Sequence, residues 1–221
     1  ANGESGKIEI LADGKRWLLG RIDAIKALAK VPEKDAEHAY ETLVDALEDD
    51  FPDVRIAALK TLPSFSLRRQ GILFHCLSDR LQDDEDSVRE EAMKCLKKVA
   101  PLFPSGCEEI LRRELRDTRK DHRGNAFEAL KLASREWPEV GCLHLDELIR
   151  EEEDDLRIRG SMILRTIASK GGAEAWDLIG WSLQDEEVRV RRNASKTLTI
   201  LADVEPRVAV ILVESSIGED D

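Results

Sequence analysis

One arginine recurs along this chain at a constant step of 34 residues. The six positions are Arg21, Arg55, Arg89, Arg123, Arg157 and Arg191. Each arginine is followed by a small residue three positions later and by a leucine seven positions later: Ala24, Ala58, Ala92, Ala126, Gly160 and Ala194; Leu28, Leu62, Leu96, Leu130, Leu164 and Leu198. Because six copies agree in several columns without a gap, the chain is predicted to consist of tandem repeats of one structural unit.

The spacing within each repeat predicts two α-helices. The residue before the arginine, the small residue and the leucine share one stripe of a helix, here named helix B. Two apolar columns four residues apart define the buried stripe of a preceding helix A: Leu43, Leu77, Leu111, Leu145 and Ile179; Leu47, Leu81, Leu115, Ile149 and Leu183. The predicted N-caps of helix B stand two residues before the arginine: Asp53, Ser87, Asp121 and Asp155. One amphipathic helix pair cannot bury its apolar face alone, so the pairs must stack into one core.

The repeat bounds follow from these columns. They are 1–34, 35–68, 69–102, 103–136, 137–170 and 171–204, with a partial seventh repeat over 205–221 in a single array that spans 1–221. In the last repeat, Val210, Val213 and Ile217 fall in the columns that are buried elsewhere. The neighbouring positions Val208, Ile211 and Leu212 are apolar too, which predicts that a second copy or further repeats cover this helix.

The residues Leu47, Asp49, Val54-Arg55, Ala58 and Leu62 form a pattern that resembles the HEAT repeat. The short repeats of phycobilin-lyase HEAT-like proteins are the most similar kind. The resemblance covers nearly the whole chain and implies an all-α fold, a right-handed α-solenoid of about six helix pairs plus a C-terminal helix. It also implies that the six arginines form a structural ladder with acids at the turns between helices A and B: Asp49, Asp83, Asp117, Glu151 and Asp185.

The outward face of helix B carries cations although the net charge is −12. In HEAT solenoids this face lines the concave surface. Positions five, eight and twelve after the arginine lie on it, and the column at five reads Lys26, Lys60, Lys94, Glu128, Met162 and Lys196. Two candidate partner-binding sets result: the stripe of Lys60, Lys94, Lys97, Lys131, Arg135 and Arg165, and the basic turn of repeat four with Arg119 and Lys120. Long basic side chains often only solvate a helix, and binding of an acidic partner is the alternative.

No motif for catalysis, a metal or a cofactor stands out in the sequence. The four cysteines are scattered without a C-x-x-C pair, as is typical of small core residues. No apolar run approaches the roughly 18 residues that span a bilayer. The segment Ala1–Gly14 lacks the apolar region of a signal peptide, so a cytoplasmic location is expected.

These observations favour a non-catalytic protein-interaction scaffold that binds another protein or an acidic peptide on its helix-B surface. Two alternatives stay open at this stage. One is a nucleic-acid-binding or DNA-glycosylase-like HEAT protein that uses the same basic groove, although an acidic chain disfavours non-specific nucleic-acid binding. The other is a lyase-like or chaperone-like accessory of a cofactor protein, which the family resemblance alone implies.

Overall fold

The computed structural model describes residues 2–32, 36–64 and 70–217, and it describes the backbone alone at residues 2–13, 36 and 70. Two predicted repeat boundaries, 34/35 and 68/69, and residues 218–221 of the seventh repeat lie outside these ranges. Contacts between Cα atoms divide the chain into an N-terminal unit, residues 1–98, and a C-terminal unit, residues 99–221. The described residues form helices and no strand, which confirms the predicted all-α class.

The N-terminal unit holds the first five helices. They are α1 (Asn2–Leu28), α2 (Ala36–Leu47), α3 (Pro52–Thr61), α4 (Gln70–Arg80) and α5 (Asp86–Val99), the last of which ends at the unit boundary. A turn of 3-10 helix, Leu62–Ser64, follows α3. Pro63 lies in this turn, where the α-helical hydrogen-bond pattern has already ended.

The C-terminal unit holds the other eight helices of the described residues. They are α6 (Pro104–Glu114), α7 (Lys120–Glu136), α8 (Pro138–Leu148), α9 (Asp154–Ser161), α10 (Leu164–Ile167), α11 (Gly172–Leu183), α12 (Val188–Val204) and α13 (Pro206–Ile217). Proline opens α6, α8 and α13, where a missing N–H costs nothing.

Most positions of the predicted core columns are buried in both units; the half-buried exceptions are Ile149 and Leu183 in the second helix-A column and Leu28 and Leu198 in the leucine column. The first helix-A column, Leu43, Leu77, Leu111, Leu145 and Ile179, is 0% exposed throughout. The small residues of helix B are also buried from the second repeat onward: Ala58, Ala92, Ala126, Gly160 and Ala194. A small side chain at this position lets the neighbouring helix approach closely. The periodic columns therefore mark the real core.

Repeat one differs from its predicted helix pair, because α1 is one continuous helix. Residues 2–28 contain no proline, and the glycines within them, Gly3, Gly6, Gly14 and Gly20, weaken a helix without ending it. α1 packs on α2 and α3 through the buried Ile25, whereas Ala24 is exposed and Leu28 is half-buried.

Helix B of repeat five is divided into α9 and α10 by a turn at Met162 and Ile163. The carbonyl oxygen of Ile158 accepts a hydrogen bond from Ser161 Oγ at 2.7 Å, and Asn193 Nδ2 of α12 donates to Ser161 Oγ at 2.9 Å. These side chains compete with the helical hydrogen bonds at this point, which explains the interruption.

The predicted N-caps of helix B were wrong, since α3, α5, α7 and α9 begin before them. Asp53, Ser87, Asp121 and Asp155 lie in the first helical turn instead. For α3, α5 and α7 the turn acid explains the earlier start: the carboxylate of Asp49, Asp83 or Asp117 accepts a hydrogen bond from the backbone N–H two residues later, at 2.7–3.1 Å. Asp185 makes the same contact before α12, at 2.8 Å. This side-chain turn directs the chain into the helix.

The predicted buried stripe of α13 was also wrong. Val210, Val213 and Ile217 are exposed, although their columns are buried in helix A of the earlier repeats. The reason is that α13 packs on α11 and α12, with Ala209 buried and Val208 half-buried.

We expect replacement of Gly141 by alanine to lower the free energy of unfolding by about 2 kcal/mol, because it overpacks the contact of α8 with α7 and α10. A Cβ atom at Gly141 would lie 2.6 Å from Ile167 Cγ2 and 2.9 Å from Ser134 Cβ. At Gly20 a Cβ atom meets nothing within 4 Å, so Gly20→Ala should stabilise α1 by about 0.5 kcal/mol. Urea unfolding followed by circular dichroism measures both changes, and equal effects of the two substitutions would contradict the close approach.

Candidate helix-B groove

Three successive B helices of the C-terminal unit border a groove with a volume of about 640 Å³. The lining residues come from α7, from α9, α10 and the turn between them, and from α12. The residues that line it are Gly124, Phe127, Glu128, Lys131, Arg135, Arg159, Met162, Ile163, Arg165, Thr166, Asn193, Lys196 and Ile200. They recur at helical spacing because each helix turns one face toward the groove.

The base of the groove is apolar. Phe127 and Ile163 are buried beneath it, and Ile200 is half-buried at the side. Met162 is 56% exposed, which leaves a flexible apolar side chain open to a ligand. An apolar base with polar groups around it is the usual composition of a binding site.

The rim of the groove is cationic. Five cations and one carboxylate line it: Lys131, Arg135, Arg159, Arg165, Lys196 and Glu128. Glu128 Oε1 lies 3.6 Å from Lys131 Nζ, and Arg159 Nε donates to Asp155 Oδ2 at 2.9 Å. Within the ranges that the structure describes, Arg135, Arg165 and Lys196 form no ion pair. An excess of positive charge therefore faces this groove in a protein whose net charge is −12.

The structure brings three of the predicted partner-binding residues together in this groove: Lys131, Arg135 and Arg165. The other stripe residues, Lys60, Lys94 and Lys97, lie on α3 and α5 in the N-terminal unit. Lys60 and Lys94 are exposed, and Lys94 Nζ lies 3.3 Å from Glu91 Oε2. Lys97 is half-buried.

The sequence stripe missed Arg159, Thr166 and Asn193, which also line the groove. Arg159 and Asn193 stand two residues after the repeat arginine, next to the column at five on a helical wheel. A wider face of about 100° would have included them.

The basic turn of repeat four is neutralised by nearby acids. Arg119 donates to both carboxylate oxygens of Asp117, at 2.9 and 2.6 Å, and this contact lowers the pKa of Asp117 to about 2. Lys120 is exposed at the start of α7. On α6, Arg112 donates to Glu147 at 2.9 Å, and Arg116 donates to Glu151 at 2.7 Å. The turn therefore offers less positive potential than its composition predicts.

Three potential metal ligands meet beside this turn. Oxygen or nitrogen atoms of Glu114, Asp117 and His122 lie within 4.8 Å of one another. The guanidinium of Arg119 already holds Asp117, and Arg113 donates to Glu114 at 2.9 Å. Two guanidinium cations balance the two carboxylates, which disfavours a divalent cation at the same place.

Four of the repeat arginines, Arg55, Arg89, Arg157 and Arg191, bind a carbonyl oxygen of their own turn, and four, Arg21, Arg55, Arg123 and Arg157, bind a carboxylate at the next turn. Arg55 Nη1 donates to the carbonyl oxygen of Asp49 at 2.7 Å, and Arg55 Nη2 donates to Asp83 Oδ1 at 2.8 Å. The corresponding carboxylate partners are Asp49 for Arg21, Asp155 for Arg123 and Asp185 for Arg157. Burial alone would raise the pKa of Asp83, but the hydrogen bonds from Arg55 and from the Glu85 amide outweigh it and lower that pKa.

The described side-chain contacts of Arg89 and Arg191 are all with residues of the same repeat. Arg89 donates to the carbonyl oxygen of Asp83 and pairs with Asp86. Arg191 donates to the carbonyl oxygens of Asp185 and Glu186, at 2.7 Å each. The carbonyl contact is thus shared by Arg55, Arg89, Arg157 and Arg191, and Arg55 and Arg157 add a carboxylate contact to it.

None of the helices in the described ranges has both the length and the apolar character needed to cross a lipid bilayer.

On α13, Ile211 is exposed, whereas Val208 and Leu212 are half-buried. The exposed apolar side chains of α13 are therefore Val210, Ile211, Val213 and Ile217.

Comparisons with known proteins show what the chain is similar to. A family model described as HEAT repeats matches residues 8–96. The archaeal HEAT-like repeats protein from Thermococcus onnurineus NA1 is similar in structure, with 12% identity, a TM-score of 0.53 and coverage of 90% of this chain and 83% of that chain. At this identity the likeness shows the fold alone, and the phycobilin-lyase subtype is not confirmed.

Two further solved structures share less of the geometry. An armadillo repeat protein designed computationally for modular peptide recognition gives 17% identity and a TM-score of 0.41, and the match covers 82% of this chain and 92% of that chain. An engineered protein gives 17% identity and a TM-score of 0.42, and the match covers 84% of this chain and 90% of that chain. None of the curated proteins matches this chain in sequence.

Proposed function

We propose that this HEAT-repeat protein is a non-catalytic scaffold that binds an acidic segment of another protein in its helix-B groove. The observation that carries the proposal is the combination of unpaired cations, Arg135, Arg165 and Lys196, with an apolar base at Met162 and Ile200. The cations would attract the acidic side chains of a partner, and its apolar side chains would cover the base. Charge complementarity would speed the encounter, and apolar burial would supply most of the affinity.

The composition of the groove favours a protein partner over a nucleic acid. Proteins that bind single strands stack bases on exposed aromatic side chains. Phe127 is the one aromatic residue that lines the groove, and it is buried. The net charge of −12 would also repel a long polyanion, whereas a short acidic segment would meet mainly the local positive field.

Four further predictions do not depend on the groove. Lys60, Lys94 and Lys97 stay predicted partner-binding residues of the N-terminal unit. A single array over residues 1–221 and a cytoplasmic location stay predictions, the latter in keeping with four buried free cysteines. The exposed apolar side chains of α13 would be covered by further repeats or by a second copy.

The groove can be tested with a synthetic amphipathic peptide that carries glutamates on one face and leucines on the other. We expect the triple variant Arg135→Glu, Arg165→Glu and Lys196→Glu to bind this peptide at least about tenfold more weakly than the unchanged protein. Fluorescence anisotropy of the labelled peptide measures the dissociation constant. Binding should also weaken as the NaCl concentration rises from about 50 mM to about 500 mM.

The matched control reverses three exposed arginines outside the groove: Arg189, Arg192 and Arg207. Both triple variants change the net charge by the same amount, so only the position of the charges differs. Equal losses in both variants would show a general charge effect and would overturn the groove as the binding site. Tighter binding of a single-stranded DNA oligomer than of the peptide would assign the groove to nucleic acid.

A further inference from the structure

Two neighbouring A helices of the C-terminal unit enclose a second, smaller pocket of about 310 Å³. Four residues from α8 and four from α11 line it, with the same spacing on both helices: Glu139, Cys142, Leu143 and Asp146; Glu174, Asp177, Leu178 and Trp181. Positions separated by three, four and seven residues lie on one face of a helix, so α8 and α11 turn equivalent faces toward the pocket.

The pocket leaves two large apolar side chains open to solvent. Leu143 is 43% exposed and Trp181 is 50% exposed, while Leu178 and Cys142 are buried beneath them. In the earlier repeats the Trp181 column holds Asp45, Asp79, Arg113 and Glu147, of which the first three are exposed. A large apolar ring at this solvent-facing position is therefore a departure within the repeat. Exposed tryptophan in a concave site is typical of protein interfaces, where it contributes much of the binding free energy.

The pocket is acidic. Glu139, Glu174 and Asp177 are exposed and form no ion pair within the part of the chain that the structure describes, and Asp146 pairs with Arg150 at 2.7 Å. The field of these carboxylates reaches the pocket floor. Burial, with a further contribution from Glu174 and Glu139, raises the pKa of the Cys142 thiol to about 11.

The neighbourhood of Trp181 shows how a cation contacts this pocket. The guanidinium carbon of Arg150 lies 4.9 Å from the centroid of the Trp181 ring, within the range of a cation–π contact. The indole face therefore accepts a guanidinium group while neighbouring carboxylates balance its charge. The remaining carboxylates, Glu139, Glu174 and Asp177, have no such cation.

We propose that the pocket between α8 and α11 binds a basic segment of a partner protein, with cations at Glu139, Glu174 and Asp177 and an apolar side chain against Leu143 and Trp181. This pocket and the groove share no lining residue. The pocket is acidic and lies on A helices, whereas the groove is cationic and lies on B helices. The chain would then hold an acidic segment through its B helices and a basic segment through its A helices.

The probe is a labelled amphipathic peptide with arginines on one face and leucines on the other, compared with the same peptide carrying glutamines in place of the arginines. We expect the arginine peptide to bind more tightly, and the triple variant Glu139→Gln, Glu174→Gln and Asp177→Asn to weaken its binding at least about tenfold. Trp181→Ala should weaken binding of both peptides, and Trp181→Phe should restore part of it, because a phenyl ring keeps apolar area and a cation–π face.

The matched control neutralises three exposed acids that do not line the pocket: Asp203→Asn, Glu205→Gln and Glu214→Gln. It removes the same amount of charge and should leave binding of the arginine peptide within about twofold of the unchanged protein. The proposal fails if the control weakens binding as much as the pocket variant does. It also fails if the dissociation constant of the arginine peptide exceeds about 1 mM. Displacement of the peptide by spermine at an equal concentration of positive charge would show that charge alone drives binding, and would equally contradict the proposal.

A variant with the groove charges reversed, at Arg135, Arg165 and Lys196, separates this inference from the proposed function. Binding of the arginine peptide should persist in that variant, since none of these cations lines the pocket. Loss of acidic-peptide binding with retained arginine-peptide binding would support two independent sites. Loss of both peptides in this variant would overturn the pocket as a separate site, and retained binding of both would overturn the groove alone.

Discussion

Replacement of Arg157 by methionine is expected to lower the free energy of unfolding by about 3–5 kcal/mol. This is the usual cost of removing one partner of a buried ion pair, because the other charge is left without compensation. Arg157 is 5% exposed. It donates to the carbonyl oxygen of Glu151 at 2.9 Å and to Asp185 Oδ2 at 3.1 Å, so it joins the turns of two consecutive repeats. Methionine fills much of the same volume, and the variant would leave the Asp185 carboxylate and a turn carbonyl without their donor.

The matched control is Arg191→Met, which changes the equivalent position of the next repeat. Arg191 donates to the carbonyl oxygens of Asp185 and Glu186, and it forms no ion pair within the described ranges. Its replacement should cost only about 1 kcal/mol, the net value of ordinary hydrogen bonds that water can replace. Urea unfolding of both variants measures the difference. Equal costs would show that the carboxylate contact between repeats adds nothing to the shared carbonyl contact.

The periodic columns predicted the core because burial imposes the same requirement on every repeat. Leu111 and Leu145 stand one repeat apart and are both 0% exposed. The groove was predicted in part for a similar reason: Lys131 and Arg165 lie on a helix face that the 100° step per residue defines. Core positions and the outward face of helix B could be predicted because the same residue types return at the same position of each repeat.

The features that the columns did not predict depend on contacts between different repeats. The break between α9 and α10 involves Asn193 of the following repeat, whose amide bonds to Ser161. The basic turn at Arg119 was overestimated because composition does not show that Asp117 holds its guanidinium. The acidic pocket needs α8 and α11 side by side, and neither helix alone indicates it.

A buried histidine should make the protein less stable in mild acid. His144 on α8 is 1% exposed, and neither ring nitrogen has a hydrogen-bond partner among the described residues. Burial lowers its pKa to about 4 from the ordinary 6.5; the smaller contribution of Glu147 raises the pKa, and that of Arg112 lowers it. Between these values the unfolded chain takes up a proton that the folded protein excludes, so stability is present above pH 6.5 and is lost as the pH falls toward 4.

His144→Leu is expected to remove this loss. At about pH 8 the ring is neutral in both states, and the comparison of variant and unchanged protein gives the packing effect alone. At about pH 5 the variant should gain about 2 kcal/mol relative to that baseline, since each pH unit within the window contributes about 1.4 kcal/mol. Urea unfolding at the two pH values supplies the measurement. A difference between the two proteins that stays constant from pH 8 to pH 5 would mean that His144 takes up its proton as readily in the folded protein as in the unfolded chain, which would contradict the lowered pKa.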